Sequence, residues 1–247
     1  MPHVSLKAEK IFEVFGFPVT NSYLTSLIVL ILLSLAFLHY NSQIKSGLKK
    51  KSKFFYLIHF INESLYHFFN TILGDQTKIA YPLVASFFIY ILVQNWFGLL
   101  PGIGSLLIKT CHAGECHSIP LFRGATADLN TTIGLGMLSV LLCQVYGVRA
   151  LGAKEYIKKF YNLKNPISFF IGTLEILSEF SKVFSFGFRL FGNIFAGEVL
   201  LVVIAFLVPV LASFPFLLLE LFVGFIQAVV FATLTAVFIN LAMSKQH

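Results

Sequence analysis

The sequence predicts an all-α polytopic membrane protein, a single membrane domain over residues 1–247. Composition carries the first argument: 57% of residues are hydrophobic, 12% are charged, and the mean hydropathy is +0.84. Apolar blocks carry the second. They fall near 22–40, 79–100, 129–148, 166–208 and 216–243, each long enough to cross a bilayer or nearly so. The third is the placing of charge. A net charge of +7 could suggest nucleic acid, but the basic residues gather between the blocks, so the expected partner is the lipid bilayer and nucleic acid is excluded.

Residues 1–21 are mixed and charged, with no signal-peptide cleavage site after the first apolar run, and read as an outside N-terminal segment. After the first span, 54–74 places His59, Asn62, Glu63, Ser64, His67 and Asn70 among aromatics at helical spacing, which predicts an amphipathic helix. Residues 101–127 form an outside loop. Its Cys111 and Cys116 allow a disulfide in an oxidising compartment, or with His112 and His117 offer metal ligands. No metal or cofactor is expected.

The 166–208 block needs a decision. As one helix it is about 64 Å long, against a hydrocarbon core of about 30 Å. No Pro interrupts it, and splitting it near Gly187 or Gly192 leaves too short a second half before Pro209. One long tilted helix is therefore expected, turning at Pro209–Pro215 into a second over 216–243; together, 166–243 form a tilted hairpin that carries an ion path. With the N-terminus outside, the inside segments hold twelve Lys and Arg and the outside segments four, a clear positive-inside bias.

Two cations remain, Lys182 and Arg189. Arg189 lies deep in the apolar run, no acidic residue stands within four positions, and guanidinium stays protonated at any relevant pH. Holding Arg at mid-bilayer costs about 2.5–3.5 kcal/mol on insertion scales. At about 100° per residue, Glu175, Ser178, Lys182, Ser185 and Asn193 fall within about 40° of its direction. Gly192 and Ala196 lie near the same face and permit close approach of another helix. Glu198 points roughly opposite, while Glu220 and Gln227 share a face of the last helix. A satisfied interhelical hydrogen bond explains a lone serine such as Ser178 or Ser185. It does not explain an arginine and two intramembrane carboxylates, so the stripe reads as an ion path.

Arg189-Leu-Phe-Gly-Asn-Ile-Phe-Ala-Gly-Glu198 resembles the signature of the subunit a family of F-type ATP synthases, the stator beside a rotating c-ring. Asn95-Trp-Phe-Gly-Leu-Leu-Pro101, Ala125-Thr-Ala-Asp-Leu-Asn130, Glu220 seven before Gln227, and Glu175 and Lys182 before the arginine also match; the resemblance covers about 80–243. It implies that Arg189 faces a c-ring carboxylate. An outward half-channel would use Glu198, Glu220, Asn193, Gln227 and Asp128, and an inward one Glu175, Ser178, Lys182 and Ser185. It also implies peripheral-stalk b subunits as partners, no bound nucleotide, and a bacterial inner membrane, in which the charge bias puts the C-terminus on the cytoplasmic side. One departure stands out: some members pair His at position 220 with Glu at the partner position, whereas here both are Glu. The alternative is a self-contained ion channel or secondary transporter, which needs its own gate or an inverted repeat, and neither is visible. A haem-bearing membrane anchor needs paired histidines across helices, and 129–148, 166–208 and 216–243 contain none.

Overall fold

Long apolar runs in a bilayer find no water for their backbone groups and must close their hydrogen bonds internally, as helices. The computed structural model follows that rule; it describes residues 8–14, 17–45, 51–100, 102–103, 106–112, 115–160, 166–207 and 213–244. The helices are α1 (Asn21–Lys45), α2 (Lys53–Leu73), α3 (Thr77–Gly98), α4 (Leu129–Leu151), α5 (Ala153–Phe160), α6 (Pro166–Leu207) and α7 (Ser213–Met243). By length and composition, five stretches among the described residues suffice to cross a membrane: α1, the run Lys53–Gly98, α4, Phe169–Leu207 and α7.

α6 is unbroken for 42 residues, as the absence of an internal proline predicts. α7 begins three residues earlier than the 216–243 block, with Pro215 in its first turn, where a missing N–H is tolerated. Of the expected turn, Pro209–Pro215, residues 209–212 lie outside the described residues and 213–215 belong to the first turn of α7. Two small antiparallel hairpins were not expected: β1 (Lys10–Val14) with β2 (Phe17–Thr20), and β3 (Leu107–His112) with β4 (Glu115–Pro120). The β3–β4 register sets Cys111 opposite Cys116, but their side chains lie outside what is described.

The core lies between α3, α4, α6 and α7, around Phe87, Ile91, Val140, Phe186, Leu190, Phe231 and Ile239. Lipid is as apolar as these side chains, so close backbone approach has to hold the helices together. A Cβ at Gly136 would meet Val183 O at 2.8 Å, and one at Gly187 would meet Ile133 Cα at 3.0 Å, so α4 and α6 touch almost backbone to backbone. On α7, Gly224, Ala228, Ala232 and Ala236 recur every four residues and are buried. Ser139 and Thr235 share a hydrogen bond at 2.9 Å between α4 and α7. Two polar side chains of α2 are engaged, Asn62 Oδ1 accepting from Tyr81 OH at 2.7 Å and Asn70 Oδ1 from Thr77 Oγ1 at 2.9 Å, while the α2 backbone carbonyl of Ile72 accepts from Asn240 at 2.9 Å. α1 is buried only at Asn21, Ser22, Thr25 and Val29.

Candidate functional site

Arg189 is exposed on the outer face of α6, with Gly192, Asn193 and Ala196 exposed beyond it. Its guanidinium donates to Ser185 Oγ at 3.3 Å, one turn back on the same helix. Among the described residues no carboxylate forms an ion pair with it. A charged group held on an apolar face without a counter-ion points to a partner that supplies one.

The predicted stripe divides along its length. Ser178, Ser185 and Ala196 open to the exterior with Arg189, whereas Glu175 and Lys182 turn inward, because α6 packs against α4 and α7 along that edge. Lys182 Nζ donates to Glu179 Oε1 at 2.6 Å and lies over the Phe238 ring at 4.6 Å from its centroid. Glu175, Glu179 and Lys182 line a cavity of about 110 Å³ with Gln144, Cys143 and Tyr156. Glu179 was missed in the sequence reading, although an acid three residues before Lys182 is the spacing of a helical ion pair. Tyr156, on α5, was missed as well. It donates to Gln144 Oε1, and burial, followed by the nearby Glu179 carboxylate, pushes its phenol up to about 12, so it stays a neutral donor at physiological pH. Gly147 makes room for that ring, since a Cβ there would collide with it.

A second cavity, of about 150 Å³, lies on the other side of Arg189 along α6. Asn95, Gly98, Gly124, Thr126, Ile194, Glu198 and Glu220 are among its lining residues. Glu220 is only 6% exposed and Glu198 is half-buried. The Glu220 carboxylate packs against α6 where Gly197 offers no side chain; a Cβ there would overlap it. α3 braces this part of α7, with Asn95 Nδ2 donating to Gly224 O at 2.8 Å and Trp96 Nε1 to Leu221 O at 3.1 Å. Buried Asn95 Oδ1 and Thr126 Oγ1 make no hydrogen bond among the described residues. Glu198 is paired with Arg123, whose neighbour Gly124 lines the cavity, at 3.1 Å.

Two further predicted residues connect this cavity to the arginine. Asn193 Nδ2 donates to Gln227 Oε1 at 2.7 Å, bridging α6 to α7. Gln227 is two turns, about 10 Å, from Glu220 along α7, and Asn193 is one turn from Arg189. Asp128 stands apart from the cavity lining. It accepts from Ser22 Oγ at 3.4 Å and Thr131 Oγ1 at 3.2 Å, tying the start of α4 to α1.

Chemically, the arrangement is two cavities on opposite sides of a fixed cation along α6: by helical rise Lys182, Glu179 and Glu175 stand about 10, 15 and 21 Å from Arg189 on one side, and Glu198 about 14 Å on the other. Each contains titratable carboxylates. Among the described residues, no group of three or more His, Cys, Asp or Glu could hold a metal ion.

Residues 23–240 match the family model described as the ATP synthase A chain. Proteins named ATP synthase subunit a are similar over most of the chain. The one from Moorella thermoacetica is 29% identical, covering 97% of each chain. That from Legionella pneumophila (strain Corby) is 28% identical over 92% of this chain and 88% of its own length. That from Syntrophobacter fumaroxidans is 33% identical over 73% of this chain and 67% of its own.

Proposed function

The chain belongs to the ATP synthase A chain family, and we propose that it is the proton-conducting stator of the membrane sector, offering two half-channels to the carboxylates of a c-ring. The observation that carries this reading is the pair of cavities flanking Arg189, one with Glu198 and Glu220, the other with Glu175, Glu179 and Lys182. A self-contained channel needs one continuous path. Two cavities separated by a fixed cation leave a gap that a moving carrier has to close.

A proton from the outside passes Glu198 and Glu220, then the Gln227–Asn193 bridge, and reaches a ring carboxylate. Once neutral, that carboxylate can travel through lipid as the ring turns. After nearly a full turn it meets Arg189, whose field favours the ionised form, and the proton leaves past Lys182, Glu179 and Glu175. The same fixed charge repels protons and blocks a direct leak between the cavities. At about 2.3 kcal/mol per charge per 100 mV, one ATP needs several protons, hence a stepwise ring.

The exposed face around Arg189 has to meet the ring. In a background free of native cysteines, Ala196→Cys should cross-link to a cysteine beside the ring carboxylate, and the ring, a small two-helix proteolipid oligomer, should co-purify. Ile194→Cys, on the buried side, should not cross-link. Cross-linking from 194 and none from 196 in an assembled complex would reject the reading. Peripheral-stalk b subunits and the bilayer complete the set of partners, and the chain itself binds no nucleotide. The twelve-to-four charge bias orients the N-terminus outside and the C-terminus in the cytoplasm of a bacterial inner membrane. An impermeant thiol reagent should therefore label Ser244→Cys from the cytoplasmic side alone; labelling from outside would reverse the orientation.

A further inference from the structure

Arg123 belongs to the outside segment by sequence, yet only 7% of it is exposed. A buried guanidinium stays charged, so it needs partners that repay its desolvation. Its Nη2 donates to Glu198 Oε2 at 3.1 Å, joining groups 75 positions apart. Its backbone is fixed from two directions. The Arg123 N–H donates to Thr25 Oγ1 of α1 at 3.3 Å, and the next residue, Gly124, packs so closely on α3 that a Cβ at Gly98 would meet Gly124 Cα at 3.2 Å. The residues that follow, Thr126 and Ala127, form a wall of the cavity shared by Glu198 and Glu220.

Two carboxylates that border one small cavity have no fixed order along a path unless something holds one of them in place. A non-titrating guanidinium, carried next to the wall residue Gly124, supplies that hold through Nη2, which donates to one oxygen of Glu198. We propose that Arg123 is a positioning residue of the outward half-channel, holding the Glu198 carboxylate at the loop side of the cavity so that Glu198 and Glu220 act as successive stations. The α1 tip and the outside loop thereby gain a role in conduction through the geometry of Glu198. This inference rests on the half-channel reading above.

The test uses the whole ATP synthase reconstituted in vesicles, with ATP synthesis driven by an imposed proton gradient. Arg123→Gln should slow synthesis on the order of tenfold, the scale of a relay group displaced by a fraction of an ångström. Adding it to Glu198→Gln should change the rate by less than about twofold, because a residue that acts through Glu198 has nothing left to position. Arg123→Lys, which keeps the charge and loses the planar guanidinium, should fall between native and Arg123→Gln. Native rates with Arg123→Gln, or an undiminished slowing on the Glu198→Gln background, would overturn the proposal. So would an Arg123→Gln chain that fails to retain the ring while Glu198→Gln retains it, since the arginine would then be structural. Native rates with Glu198→Gln alone would remove the half-channel reading itself, an outcome distinct from the others.

Discussion

Arg189→Ala is expected to leave the complex assembled and to abolish coupled ATP synthesis. Assembly survives because the side chain is exposed and, among the described residues, hydrogen-bonds only to Ser185 on its own helix, so truncation opens no core cavity. Synthesis fails for two reasons. A ring carboxylate arriving at α6 loses the positive field that favours its ionised form, so proton release stalls. The barrier between the two cavities also loses its charge, and protons can pass without turning the ring. Arg189→Lys should fall far below the native rate despite equal formal charge. Ammonium is a compact point donor whose proton is lost more readily on burial, whereas guanidinium stays charged. The measurement is the initial rate of ATP synthesis in reconstituted vesicles, normalised to the amount of co-purified ring.

Removing both outward carboxylates is the second large effect. Glu198→Gln or Glu220→Gln alone should slow proton-driven synthesis roughly tenfold, and the double replacement should slow it roughly 100-fold or more, on the scale of lost acid–base groups. Each carboxylate borders the same cavity, so a lone survivor still relays protons at reduced flux. Gln keeps the size of the side chain but cannot titrate, which separates proton relay from packing. Gly197→Val should resemble the Glu220 replacement for a different reason: its side chain would occupy the place of the Glu220 carboxylate and push it from the cavity. Native rates in the double variant, with the ring retained, would remove these two residues from the path.

How far sequence reasoning reached follows from the range of the interactions involved. α1, α3, α4, α6 and α7 were legible because a hydrophobic run reports its own environment residue by residue. Arg189 was legible because its cost is local: a cation in an apolar helix stands out without knowledge of its neighbours. The helical wheel was right that Glu198 points away from Arg189, and the structure adds what lies on that side, namely Glu220 and the segment Arg123–Ala127 before α4.

What stayed hidden depends on contacts between distant segments. Periodicity treats Lys182 as one more member of the stripe, but packing against α4 and α7 turns it inward onto Glu179 and Phe238. Arg123 looked like an ordinary loop charge, and only the fold brings it to Glu198. Gly197 and Gly147 gave no sign of the Glu220 carboxylate and the Tyr156 ring packed against them. The hairpins β1–β2 and β3–β4 lie in short mixed segments whose alternation is too brief to distinguish from loop.

The central claim is that Arg189 separates two half-channels rather than supporting the fold. Passive proton flux through the membrane sector, measured in vesicles stripped of the catalytic head, tests it most directly. With Arg189→Ala the flux should equal or exceed the native value while ATP synthesis in the intact enzyme is lost. Flux that disappears together with synthesis, or synthesis that continues at a near-native rate, would contradict it.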